Sequence, residues 1–194
     1  MEGRSFADDL RTIFAALPKT DATTANPVLI VICGLPGVGK SFLAHALVER
    51  LPAVIVESDF VRKTLFPKPT YSGLESTWVH RIAHVVMERL LKSGRRVIYD
   101  ATNLYEWHRA KSYQLADRAN AKLIVVQIVA PEALIRERLT KRFESRDPGD
   151  LSDATWQVYE HLRRTAEPIR HPHLVVDTSR DLNPAIIKIL RATK

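Results

Sequence analysis

The sequence predicts a three-layer α/β/α fold, a parallel five-stranded sheet with helices on both faces. Three observations predict it. Five short apolar runs alternate with helical patterns, so each pair of strands is joined by a crossover. One run, residues 123–129, is nearly all aliphatic, as a strand buried on both faces requires. The first run, residues 28–33, ends in a glycine-rich turn that leads straight into a helix.

Each element has its own justification. Residues 5–17 place Phe6, Leu10, Ile13, Phe14 and Leu17 at helical spacing, and a polar connector runs on to Pro27. After the first strand and its turn, a helix runs to about Leu51, where Pro52 stops it. Residues 53–57 are the second strand, with Ser58 and Asp59 at its carboxyl end. A short helix then carries Phe60, Val61, Leu65 and Phe66 until Pro67 and Pro69 break it. Residues 74–92 form a long helix with Trp78, Ile82, Val85, Val86, Leu90 and Leu91 on its apolar side and Gly94 as its cap. The third strand, 96–100, ends at Asp100, ahead of Ala101, Thr102 and Asn103. A helix over about 106–120 precedes the fourth strand, and Pro131 opens the next helix. That helix carries Arg136, Arg138, Lys141 and Arg142, with Arg146 beyond them. Residues 147–150 read as a turn, and 152–167 as a helix capped by Ser152 or Asp153. The fifth strand is 173–177, and a helix over 184–191 closes the chain.

Composition sets outer bounds. With 194 residues, the chain is expected to be one domain, 1–194, with residues 1–27 as a helical extension. Its 45% hydrophobic and 26% charged residues suit a soluble globular chain, expected in the cytoplasm. No apolar stretch approaches the ~20 residues of a membrane span, and the first 17 residues lack a signal-peptide core. The single cysteine, Cys33, excludes an internal disulfide and reads as a buried inert thiol at a strand end. A net charge of +7 fits an anionic partner, nucleotide or nucleic acid.

The chemistry begins at Gly34-Leu35-Pro36-Gly37-Val38-Gly39-Lys40-Ser41, a complete G-x-x-x-x-G-K-[ST] match in strand–turn–helix context. Consecutive N–H groups in such a loop turn inward and, with the helix N-terminus and Lys40, converge on a polyphosphate. Gly34, Pro36, Gly37, Val38, Gly39, Lys40, Ser41 and Phe42 are the candidate ATP-binding residues. Ser41 and Asp100, the latter ending a Walker-B-like strand, are the candidate Mg²⁺ contacts. Asp59 at the second strand tip is placed to take a proton from an acceptor hydroxyl, or to cap the helix after it. Arg62, one turn later, is placed to hold an anionic acceptor group, with Thr102 and Asn103 as further acceptor contacts or turn residues. Arg138 and Arg142 share one helix face and would neutralise charge on a transferred phosphoryl group, or simply face solvent. His80 and His84 have zinc-compatible spacing without a third ligand in view, and otherwise read as helix-surface residues. Trp78, Tyr71 and Trp107 are candidates for the acceptor rim or for core packing. No Asn-Lys-x-Asp guanine signature and no His-Arg-Asp or Asp-Phe-Gly protein-kinase motif occurs.

Together, the loop at 34–41, Ser-Asp-Phe-Val-Arg at 58–62, Tyr-Asp-Ala-Thr-Asn at 99–103 and Arg-Glu-Arg-Leu-Thr-Lys-Arg at 136–142 resemble the small P-loop kinases with an AAA-type ATP-binding domain. These are similar to the phage-type polynucleotide 5′-kinase domain and to seryl-tRNA kinases, and more distantly to zeta toxins and chloramphenicol phosphotransferase. The resemblance covers about residues 28–191. It implies a P-loop NTPase fold with strand order 2-3-1-4-5, a small helical lid over about 138–152, and ATP with Mg²⁺. By the same resemblance Asp59 is the acceptor base, Arg62 an acceptor contact, and Lys40, Arg138 and Arg142 are catalytic. The expected activity is transfer of the γ-phosphate to a hydroxyl. The acceptor is left open between a nucleic-acid 5′ end and a small metabolite or antibiotic. An ATP-gated binding module without an acceptor is the reading from another class.

Overall fold

Strand order and direction put the glycine loop, Asp59 and Asp100 at the carboxyl ends of neighbouring strands of one sheet. The computed structural model describes residues 5–18, 20–145 and 151–194. In chain order the described elements are α1 (Phe6–Ala16), β1 (Val28–Cys33), α2 (Lys40–Val48), β2 (Val54–Glu57), α3 (Ser58–Leu65), α4 (Gly73–Lys92), β3 (Val97–Asp100), α5 (Glu106–Arg118), β4 (Lys122–Val129), α6 (Glu132–Ser145), α7 (Trp156–Thr165), β5 (Leu174–Asp177) and α8 (Asn183–Ala192). The five strands form one sheet in the order β2-β3-β1-β4-β5, every pair parallel.

Alternation along the strands divides the core into two layers. Leu29, Val31 and Cys33 of β1 join one cluster with buried residues of α1, α3, α4 and α5. Val28, Ile30 and Ile32 join the other, with α2, α6, α7 and α8. Successive side chains point to opposite faces, so a strand covered on both sides must be apolar throughout, and all six residues of β1 are buried. Each such aliphatic side chain contributes about 1.5–3 kcal/mol on burial.

The register then fixes the tips. Glu57 pairs with Asp100, and Asp100 with Ile32, so β2, β3 and β1 end level with one another. Val129 pairs with Asp177 at the other side of the sheet. The segments leaving the strand tips therefore meet the glycine loop at one mouth.

Several boundaries differ from the sequence expectation for identifiable reasons. The helix expected over 152–167 starts only at Trp156, because Thr155 caps it by accepting from Val158 N–H. Asp153 is engaged elsewhere: its carboxylate accepts from the Tyr71 hydroxyl at 2.5 Å and from Lys63 at 3.0 Å. The α3 helix begins at Ser58, so Asp59 lies in its first turn rather than ahead of it. Ser72 caps α4 by accepting from Glu75 N–H at 3.2 Å, while the C-terminal end closes through Gly94 at φ +76°. Among the described residues, no helix is long and apolar enough to cross a membrane. The turn at 147–150 and Arg146 lie outside the described residues.

Candidate active site

The glycine loop is shaped by contacts that leave no room for side chains. Gly34 has φ +153°, and a Cβ there would stand 2.7 Å from the Ile128 carbonyl oxygen of β4. Gly39, at φ +95°, is the residue before α2 and lies against Thr178. Glycine adopts such dihedrals without steric cost. Gly34 N–H donates to Thr102 O at 3.0 Å, tying the loop to the β3 tip. At the β5 tip, the Thr178 hydroxyl donates to Val38 O at 2.6 Å. Arg138 reaches over from α6, donating through Nη1 to Thr178 Oγ1 at 2.8 Å and to Gly37 O at 3.3 Å, and through Nη2 to Thr178 O at 3.1 Å. Thr178 thus bridges loop and arginine. Its position past a strand tip is readable in the sequence, but its bridging role is not.

Lys40 donates to Leu35 O at 3.0 Å. Burial pulls its ammonium below the usual lysine range, and the carboxylates of Asp100 and Asp59 oppose that. Asp59 shows the mirror effect. Burial raises its carboxyl above the ordinary range, while Lys40 and then Arg62 favour the ionised form. No side-chain hydrogen bond caps the start of α3, so a capping role for Asp59 is absent. Lys40, Ser41, Asp59, Asp100, Arg138 and Arg142 all line one cleft of about 1120 Å³. Ligand sites are typically roughly 300–1,000 Å³, so the cleft has the volume of a ligand site.

A Mg²⁺ ion fits the residues present. Asp100 is 2% exposed, and its Oδ2 is buried without a hydrogen-bond partner among the described residues. A buried carboxylate oxygen left unpaired is costly unless a cation or water takes it. Ser41, in the first turn of α2, offers its hydroxyl to the same cleft.

The acceptor candidates fare differently. Thr102 lines the cleft. Asn103 does not: at φ +47° it turns inward, and its Nδ2 donates to Ile32 O at 2.8 Å. That left-handed turn makes Asn103 a brace for β1 instead of an acceptor contact. Arg62 lines the cleft but is buried, paired with Glu75, and donates to Ser76 Oγ at 3.3 Å. The Tyr71 ring covers its guanidinium at 4.6 Å. Glu75 also accepts from Thr70 N–H and Thr70 Oγ1, both at 2.8 Å. Burial alone would raise the Glu75 carboxyl, yet the Thr70 bonds and Arg62 outweigh it and hold it at about 2.

His80 and His84 are not helix-surface residues. The His80 Nδ1 lies 2.7 Å from the Tyr99 hydroxyl, and its ring packs against His108 at 4.7 Å between centroids. Burial, then the neighbouring His108, lowers His80 to about 3, and burial brings His108 to about 4. His84 is neutral for the same reason, burial, and its Nδ1 contacts the His80 carbonyl at 2.6 Å. A carbonyl only accepts, so the His84 proton sits on Nδ1 and Nε2 accepts from Ser112 at 3.3 Å. His80 and His108 both line the cleft; the sequence reading singled out His80 without placing it there and did not name His108. Of the aromatic candidates, Tyr71 lines the cleft, whereas Trp78 packs on Phe6 and donates to Asp9 at 2.8 Å. Trp107 is exposed and stands outside the cleft lining. Cys33 is buried and its thiol is pushed up to about 12 by burial, which makes it inert at neutral pH.

A glycine loop at the β1–α2 junction of a 2-3-1-4-5 parallel sheet defines a P-loop, ATP-binding protein of the kinase-like class. The comparisons with known proteins agree, and the chain belongs to the AAA_33 family of AAA domains, whose profile matches residues 29–169. It is similar to the L-seryl-tRNA(Sec) kinase of Methanococcus maripaludis, 22% identical over 170 residues, covering 84% of this chain. The chain spans 65% of that relative's length. Kti12 of Chaetomium thermophilum, solved with ADP-AlF3, superposes with a TM-score of 0.70 at 21% identity, over 86% of this chain and 99% of that one. The APS kinase CysC of Mycobacterium tuberculosis, solved with AMPPNP and APS, gives 0.66 at 18% identity, over 86% and 97%. At these identities the two structures speak for the fold.

Proposed function

We propose that the protein transfers the γ-phosphate of ATP to the hydroxyl of an acceptor bound beside Asp59. The carrying observation is that Asp59 and Lys40 line one cleft and act on each other electrostatically. The Asp59 carboxylate takes the proton of the acceptor hydroxyl as that oxygen bonds to Pγ. The bond from Pγ to the β–γ bridging oxygen breaks, and ADP leaves with the electron pair. Lys40, the loop N–H groups and Arg138 stabilise charge on the equatorial oxygens, with Arg142 one helical turn further along the lid helix. Ser41 and Asp100 would hold a Mg²⁺ ion, which would supply positive charge to the polyphosphate. The kinases among the relatives and neighbours, acting on seryl-tRNA and APS by their names, support transfer in general and differ in acceptor.

Asp59→Asn tests the assignment. Transfer should fall by about 10²–10⁴, the usual worth of a positioned base, while ATP affinity stays within about threefold, a sub-kcal/mol change. Transfer should also fade as pH drops through the raised Asp59 pKa. Burial favours the protonated form in the fold, so the ionised carboxylate costs stability at neutral pH. The ATP-free variant should therefore melt higher than the parent, with the gap closing in acid. Parallel loss of transfer and ATP affinity would refute the base role.

A further inference from the structure

The two ends of the cleft differ in charge. Lys40 and Arg138 reach the glycine loop, and Arg142 acts on Lys40 electrostatically. At Asp59, Arg62 is the one cation besides Lys40 that acts on the carboxylate among the described residues, and it is matched by buried Glu75. Glu75, held at about 2, stays ionised at any working pH, so the pair is permanently neutral as a unit. Asp153, on the same wall, is matched by Lys63. His80 and His108 are uncharged. What meets a ligand here is hydroxyl, imidazole and aromatic surface: Ser76, His80, Tyr105, His108 and the Tyr71 ring.

Resting on the phosphotransfer reading, we propose that this wall takes an uncharged, polyhydroxylated, sugar-like small molecule as the acceptor. Neutral imidazoles and hydroxyls both donate and accept, which suits a ring of alcohols. Aromatic faces cover the apolar C–H surface of such a ring. A phosphodiester or carboxylate in the same place meets Asp59 with Lys40 directed at the triphosphate and Arg62 already matched by Glu75. Like charges so placed cost several kcal/mol, and nucleic-acid affinity depends on neutralising phosphates. The Arg62–Glu75 pair thus excludes charged acceptors by withholding the cation that the sequence alone assigned to them.

Matched acceptors test this: glucose with glucose 6-phosphate, inositol with its monophosphate, and a nucleoside with a 5′-hydroxyl oligonucleotide. Each is read by label transfer from γ-labelled ATP and by thermal shift beside a non-hydrolysable ATP analogue. The neutral member should give the larger signal, by about tenfold or more in kcat/KM, the ratio that a repulsion of ~1.4 kcal/mol produces. Glu75→Gln, which unmatches Arg62, should narrow that ratio to about threefold or less. If this variant folds poorly, the parent protein's panel decides alone. A larger signal from any charged member, or silence from every neutral one while ATP still shifts the melting temperature, overturns the acceptor assignment. Absence of an ATP shift, or its survival in Lys40→Ala, overturns the phosphotransfer reading and this inference with it.

Discussion

The phosphate side of the cleft is largely backbone, opened by Gly34 and Gly39 and pinned through Thr178. The wall beyond Asp59 is side chain held by side chain: Arg62 by Glu75, Glu75 by Thr70, His80 by Tyr99. Backbone sites are set by local dihedral freedom and tolerate most distant changes. Side-chain networks fail when one member is removed, because the partner is left buried and unpaired.

The largest expected effect tests that vulnerability. Glu75→Ala leaves Arg62 charged and buried, and should destabilise the protein by about 3–5 kcal/mol, seen as a lower denaturant midpoint. Arg62→Met combined with Glu75→Leu removes both charges and should recover most of that loss. If the single variant is as stable as the parent, the network does not hold the wall beyond Asp59. Thr178→Val comes next and probes the pinned loop. It removes the hydroxyl between Val38 O and Arg138, at a cost of about 1–3 kcal/mol. Transfer should drop, and thermal protection by ATP should shrink with it.

The last effect is read as a slope with pH. Burial depresses His80 and His108 from 6.5 to about 3 and 4, so the folded protein resists their protonation. The unfolded chain then binds more protons, and stability falls as pH drops from 6.5 towards those values. Glu75, lowered from 4.5 to about 2, adds a further loss below pH 4.5. A His80→Gln/His108→Gln protein should show a flatter melting-temperature profile between about pH 6.5 and 4. An unchanged profile would place those imidazoles in water.

The same contrast explains what could be read in advance. The glycine loop was legible because its function is a local backbone shape that only certain residues permit. The strand order came with the resemblance, and the aliphatic run at 123–129 already required a parallel, covered strand. Asp59, Arg62, Thr102 and Tyr71 were legible as candidates, but the contacts that build the wall beyond Asp59 were not. Contacts such as His80 to Tyr99 and Arg62 to Glu75 join different elements, and no periodicity encodes them. Arg62 read as an open anion fork because its partner sits on another helix. Asn103 read as an acceptor contact because its left-handed turn is invisible in a sequence. One signal was present: Ser72-x-x-Glu75 is a capping-box pattern, and it marked both the start of α4 and an acidic side chain turned back towards the chain before it.

The helix α1 lies ahead of the matched range of 29–169, yet Leu10 and Ile13 are buried in the same cluster as Val61 and Leu65 of α3 and Val79 and Ile82 of α4. Those two helices also carry Asp59, Arg62, Glu75 and His80. A chain trimmed to the family boundary would uncover the back of the wall beyond Asp59. Helix α1 is thus a buttress, and the place to cut this protein is not where its family begins.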